Sequence, residues 1–181
     1  MSSSAISTTL KLLRRFRRNR RGSVAIEFSL IALPFFALLY AIIETALVFF
    51  ASQVLETAVQ DSSRLILTGQ AQTAATPYTA QKFKDAVCTR LTVMFDCQNG
   101  VYVDVQSYSS FGTVKIVDPI DSGKNFVANM KYAPGVAGDI VVVRLFYQWP
   151  LIVTGLGYNI ANLTGSKRLL TATAAFRNEP Y

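Results

Sequence analysis

Two sets of residues in this chain could do chemistry by their type and spacing. The first is Gly22, Ser23, Glu27 and Phe28, in the stretch "RRGSVAIEFSL", where a cationic run stops and an apolar one begins. A charged side chain inside a membrane span costs roughly 2.5–3.5 kcal/mol on insertion scales, so a glutamate there calls for a reason. Cleavage after Gly22 would make Glu27 the fifth residue of the shortened chain and leave a new ammonium group on Ser23. On neighbouring copies of one apolar helix, that amine and that carboxylate can neutralise each other. Either charge left alone in an apolar bundle is costly, so the pair would fix the axial register between subunits. Two plainer readings stand beside this one: Glu27 as an interfacial charge snorkelling to headgroups, and Gly22 as a simple helix breaker.

The second set is Cys88 and Cys97, the only cysteines. In an oxidising compartment such a pair is normally a disulfide, which would pin the end of a helix to the turn before a strand. If Cys88 points away from its mate, both stay free thiols. Histidine is absent altogether, which removes the commonest metal ligand and the usual base of Ser-His-Asp and Cys-His sites. No phosphate-binding glycine loop and no zinc spacing occurs. Asp85, Asp96, Asp104, Asp118, Asp121 and Asp139 are scattered and read as solvated turn and strand-end residues. The expectation is a chain that is not an enzyme, with no cofactor, no metal and no small-molecule substrate.

The elements that would position these groups follow from charge and hydropathy. Seven of the eighteen cations lie between Lys11 and Arg21, and from Ser23 onward eleven basic residues balance eleven acidic ones. The basic character belongs to the leader and not to the folded body, which argues against a nucleic-acid partner. Residues 28–43 pass without a charge, and apolar character resumes after Glu44 as far as Ala51. Counted from Ser23, a helix rising ~1.5 Å per residue crosses about 30 Å near Tyr40 to Ile43. That frame leaves Glu44 at the far interface; a tilted frame from Phe28 to Ala51 would bury it and require a partner. The asymmetry of flanking cations predicts a cytoplasmic N-terminus with the body across the membrane. The apolar run is too long for a cleaved secretory signal and no convincing small-residue cleavage site follows it. Pro34 should kink or locally melt the helix.

A basic leader, a glycine, and a glutamate at the fifth following position before an aromatic residue resemble the class III signal of type IV pilins and pseudopilins. Within that group, "RRGSVAIEFSLIALPFFALLYAIIETALVFF" is similar to the TadE-like proteins of the tight-adherence (Tad/Flp, type IVb) pilus. The late stretches "VVVRLFYQWPL" and "TATAAFRNEPY" resemble that family's later motifs, while residues 70–138 carry little to match. The resemblance implies a minor pseudopilin, a structural or assembly subunit needed for pilus biogenesis, adherence and biofilm formation. It implies maturation after Gly22 by a prepilin peptidase, which makes Ser23 the first mature residue, with Glu27, followed by the aromatic Phe28, important to subunit interactions. N-methylation of Ser23 stays open. The implied partners are that peptidase, the other Tad pilins and pseudopilins, the inner-membrane assembly platform and membrane lipid. The implied location is the inner membrane, single-pass with a periplasmic domain, either retained there or carried into an extracellular pilus.

The remaining chain predicts an α+β fold: residues 1–22 a leader, 23–69 a long helix membrane-embedded in its first half, and 70–181 an outer domain. Leu55, Ala58, Val59, Ser62, Leu65 and Ile66 recur at helical spacing, and Gly69 is a helix stop. A second helix is expected from Pro77 to Phe95, capped by Thr76 and burying Phe83, Val87, Leu91 and Met94. Period-two alternation predicts a strand at 101–108, and further strands are expected at 113–117, 139–149 and 169–176, an antiparallel sheet of about four strands. Residues 151–165 read equally as a short helix or a buried loop. Two rival functions remain at this level: an uncleaved single-pass protein whose outer domain binds an envelope ligand, and an anchored hydrolase using carboxylates.

Overall fold

The computed structural model describes residues 22–91, 94–154 and 158–181. Apart from Gly22, the expected leader lies outside the described residues. In chain order the elements are α1 (Ser23–Leu67), α2 (Gln70–Thr73), α3 (Ala80–Cys88), α4 (Cys97–Gly100), β1 (Val101–Tyr108), a 3-10 turn (Phe111–Thr113), β2 (Ile140–Pro150) and β3 (Lys167–Arg177). The chain divides into two compact units between Ile42 and Ile43.

In the first unit, residues 23–42 are one helical run that continues through Pro34 without a break. Its large apolar side chains face outward on every side: Val24, Phe28, Leu30, Ile31, Leu33 and Phe35 are all exposed. A helix apolar all round belongs in lipid or among other helices. By length and composition it is able to cross a membrane.

The second unit is built on a three-stranded antiparallel sheet in the order β1-β2-β3. Its inner face presents Val101, Val105, Val141, Val143, Leu145, Leu170, Ala172 and Ala174. Against it pack Ala51, Leu55, Ala58, Val59 and Ile66 of α1, the three-to-four spacing that the sequence shows, together with Phe83 and Val87 of α3. Ala51 and Ala58 of the helix and Ala172 and Ala174 of β3 are among the small residues buried in this core. Ser62 is wholly buried there and donates back to the Ala58 carbonyl at 2.6 Å, so its hydroxyl is satisfied within the helix. Burial beside this core pushes the Tyr132 phenol up to about 12, with Tyr78 adding to the shift.

The helix ends where glycine allows it to. Gly69 takes φ 74°, and the Tyr181 ring lies where a Cβ on that glycine would stand. Glu179 N–H donates to the Leu67 carbonyl at 2.9 Å, satisfying one of the last carbonyls of α1. Asn178 is buried and its amide donates to the carbonyls of Pro134 and Val136, both at 3.0 Å. The "FRNEPY" stretch thus closes one end of the unit.

The sheet departs from expectation in having three strands and not about four. Residues 114–117 form no strand, and Ile116 and Val117 are exposed. The free edge of β1 is occupied instead by residues 131–133: Val105 N–H donates to Lys131 O and Ala133 N–H to Val105 O, both at 2.8 Å. The segment before that covers the outer face, where Ile120, Phe126 and Met130 pack on Phe146, Leu163 and Leu169. The second helix is also shorter than expected. Its cap is Thr79, whose side chain accepts from Lys82 N–H at 3.2 Å, and it ends at Cys88. Leu91 and Met94 still pack against the core, but from outside the helix. Residues 151–165 contain no helix among those described.

Cys88 and Cys97 form a disulfide with Cα atoms 5.6 Å apart, joining the end of α3 to the start of α4. The chain-entropy account gives a loop of this length about 2–3 kcal/mol of stabilisation. Cys88→Ser/Cys97→Ser is therefore expected to lower stability by about that amount, read as an earlier urea midpoint with unchanged slope. An unchanged midpoint would show the link to be energetically idle.

Candidate functional site

Three groups of residues carry unusual polar chemistry. The first is the head of α1. Gly22 is exposed, immediately before the helix, and a Cβ added to it meets nothing within 4 Å among the described residues. Its φ is not in the left-handed range, so neither packing nor backbone strain demands glycine here. Ser23 opens the helix and Glu27 is its fifth residue, one turn further on, so the two positions share a helix face. Glu27 and Phe28 are both exposed. The local structure thus presents a glycine that meets no packing constraint among the described residues, just before a helix whose fifth residue is a carboxylate in an apolar sequence.

The second group surrounds Glu44. The favoured frame sets Glu44 at the membrane interface; within the protein the residue is 7% exposed and its carboxylate is partnered. Its Oε1 accepts the Ile152 N–H, and Val153 N–H donates to Oε1 at 3.1 Å and to Oε2 at 3.0 Å. The adjacent Thr45 and Tyr158 hydroxyls are hydrogen-bonded to each other. After Pro150 the chain leaves the sheet, so the amides of 152 and 153 have no strand partner, and the carboxylate supplies one. Glu44→Leu removes that acceptor and is expected to cost about 1–3 kcal/mol, seen as faster limited proteolysis at residues 151–158. Glu44→Gln keeps an oxygen acceptor and should be cut at nearly the parental rate. Equal cutting of all three proteins would mean that the loop does not depend on this residue.

The third group is an ion pair across the sheet. Asp104 of β1 faces Arg144 of β2 in register, and the two are 1% and 9% exposed. Arg144 donates through Nε at 3.1 Å and Nη2 at 2.8 Å to Asp104 Oδ2. Arg144 Nη1 reaches the Val117 carbonyl at 2.9 Å, and Lys131 N–H reaches Asp104 Oδ1, also at 2.9 Å. Reading Asp104 as a solvated carboxylate was wrong: the covering segment 117–131 removes it from water and is in turn held by the pair. The signal was present in the sequence as opposite charges standing mid-strand in two apolar runs, "VYVDV" and "VVVRLF". No such signal existed for Glu44, whose partner amides lie more than a hundred residues away in a loop.

Compared with known proteins, residues 22–64 match the family model of TadE-like proteins. The match begins at Gly22 and takes in Ser23, Glu27, Phe28 and Glu44, but not the sheet. No curated protein and no solved structure matches.

Proposed function

From a chain that is TadE-like over residues 22–64, and so fits a component of the Tad pilus system, we infer a minor pseudopilin: a non-catalytic structural subunit that a prepilin peptidase matures by cutting after Gly22. The observation that carries this reading is Gly22 itself. Among the described residues nothing stands where a Cβ on Gly22 would lie, and a protease subsite too narrow for a side chain supplies a reason for glycine there.

Cleavage leaves Ser23 as an ammonium at the tip of an apolar helix, one turn from Glu27. Within an apolar bundle the energetically acceptable arrangement pairs the amine of one subunit with the carboxylate of another. The exposed apolar residues of the first unit serve twice in this account, against lipid before assembly and against companion pilins and the assembly platform during it. Seven cations ahead of the span orient the N-terminus to the cytoplasm. The Cys88–Cys97 disulfide suits a second unit on the oxidising, periplasmic side of the inner membrane. Pilus biogenesis, adherence and biofilm formation are then the processes it serves.

Mass spectrometry of the protein's N-terminus in its own host tests this directly. A chain beginning at Ser23, with or without a methyl group on its amine, is the expected result. Retention of Met1 or Ser2 on functional protein would replace this reading with that of an uncleaved membrane-anchored binding protein.

A further inference from the structure

One surface of the second unit is left unaccounted for by processing and assembly through α1. It lies at the end of the unit where the chain enters. Helix and sheet run side by side over the same length: Glu44 to Leu67 spans about 35 Å as helix, and Ile140 to Pro150 about 33 Å as strand. Two sets of hydrogen bonds fix the alignment. Glu179 ties to Leu67 at one end, and Ile152 and Val153 tie to Glu44 at the other. The β2–β3 end at Pro150 and Lys167, which pair with each other, therefore lies level with the first turn of α1 in this unit.

That end is apolar and basic together. Ile152 is 91% exposed, the most exposed large apolar residue described. Leu47, Phe49 and Phe50 are exposed on the adjoining turns of α1, while Val48 and Ala51 between them are buried in the core. Lys167 is exposed beside Pro150, and Leu151 N–H bonds to Ser166 O at 2.9 Å, so Lys167 and Ile152 stand on neighbouring turns. Lys124 joins them, because Thr164 N–H donates to its carbonyl at 2.9 Å. Arg168 donates to Ile160 O at 2.8 Å, and Trp149, its cross-strand partner, is half-buried. Of the acidic groups at this end, Glu44 is held by two amides, while Asp121 is exposed beside Lys124 and accepts the Asn125 N–H at 2.7 Å, which lowers its pKa and keeps it ionised, so one carboxylate is set against the two lysines.

We propose that this end of the second unit, with Ile152 at its tip and Lys167 and Lys124 around it, docks on an anionic phospholipid surface. Ile152 enters the acyl boundary and the two lysines meet headgroup phosphates. An apolar tip flanked by cations is the composition that an interfacial segment requires. Lipid is the occupant because the chain reaches this end directly from an uncharged run of sixteen residues, 28–43, long enough with its flanks to cross a bilayer. Glu44 acts as the positioning residue: it holds the loop amides that fix where Ile152 projects. The inference rests on α1 being membrane-inserted and is independent of whether Gly22 is cleaved.

The test uses the full-length chain reconstituted into vesicles of phosphatidylethanolamine and phosphatidylglycerol. The Cys88–Cys97 disulfide leaves an introduced cysteine free to carry a fluorescent label, so Ile152→Cys is compared with Val136→Cys, an exposed site at the opposite end of the unit. Lipids brominated on their acyl chains should quench the label at 152 at least ~3-fold more than the label at 136, since quenching by bromolipids requires contact with the acyl region and 136 lies about 33 Å away along the strands. Adding Lys124→Glu and Lys167→Glu should bring the two signals together in anionic vesicles. Flotation of the vesicles is scored separately and reports on α1 alone. A chain that floats with its vesicles but is quenched equally at 152 and 136 would overturn the docking while leaving the anchor intact. Protection of 152 that grows with protein-to-lipid ratio and not with bromolipid would overturn it in favour of a contact between copies of this chain.

Discussion

Arg144→Met is expected to destabilise the second unit by about 3–5 kcal/mol, because it leaves the Asp104 carboxylate in the covered face of the sheet without its cation. Domains of this kind hold only about 5–15 kcal/mol in total, so the single change removes a large fraction of the margin. The loss has two physical parts. Asp104 Oδ2 forfeits both guanidinium donors, keeping Gln106 Nε2 at 2.8 Å, and the Val117 carbonyl forfeits Nη1. The covering segment 117–131 is then held mainly by Phe126 and its neighbours, whose ring sits 5.7 Å from that of Phe146. Replacing both partners, as Asp104→Leu/Arg144→Met, should recover most of the stability, since neither charge is then stranded. Urea unfolding followed by Trp149, the single tryptophan, measures both variants. A cost below about 1 kcal/mol for the single variant, the range of solvent-exposed ion pairs, would show the pair to be effectively solvated.

The second large effect concerns processing and leaves the fold alone. Gly22→Ala should preserve membrane insertion, the disulfide and the unfolding midpoint, because the added methyl meets nothing within 4 Å among the described residues. Yet it should lower conversion to the Ser23 form by 10- to 200-fold, roughly the discrimination that one carbon in a tight subsite provides. The measure is the ratio of full-length to shortened chain in the native host. Efficient cutting of the alanine variant would place the specificity elsewhere. Glu27→Gln completes the comparison: it should be cut but assemble poorly, separating the peptidase's requirement from the partner subunit's.

The parts of this molecule most legible in its sequence are those whose physics is local. The apolar run, its basic lead, the three-to-four spacing from Leu55 to Ile66 and the stop at Gly69 all follow from neighbours in the chain. So do the three strands that form. What stayed hidden depends on long-range pairing. Residues 113–117 have strand composition, but the edge they would have taken is filled by residues 131–133. Asp104 reads as polar alternation on a solvated face until a segment with no regular structure covers it. Thr76-Pro77 has the composition of a helix start, yet Thr79 is the residue whose side chain reaches Lys82 N–H. At the candidate site, the spacing from Gly22 to Phe28 was readable because it is a local pattern. Glu44 was recognised as a problem, but its solution lay in backbone amides that carry no sequence identity.

The lateral alignment of α1 with β2 and β3 also bears on how the chain acquires its shape. The central strand begins at Ile140 and its second partner ends at Arg177, whereas the helix they cover is finished by Leu67. A ribosome therefore delivers Ala51, Leu55, Val59 and Ile66 long before anything exists to shield them. Such high contact order makes for slow folding and prolonged exposure of sticky surface. Closure of the sheet must wait for β3, a hundred residues after Leu67, which makes the nascent protein dependent on whatever holds that helix in the meantime.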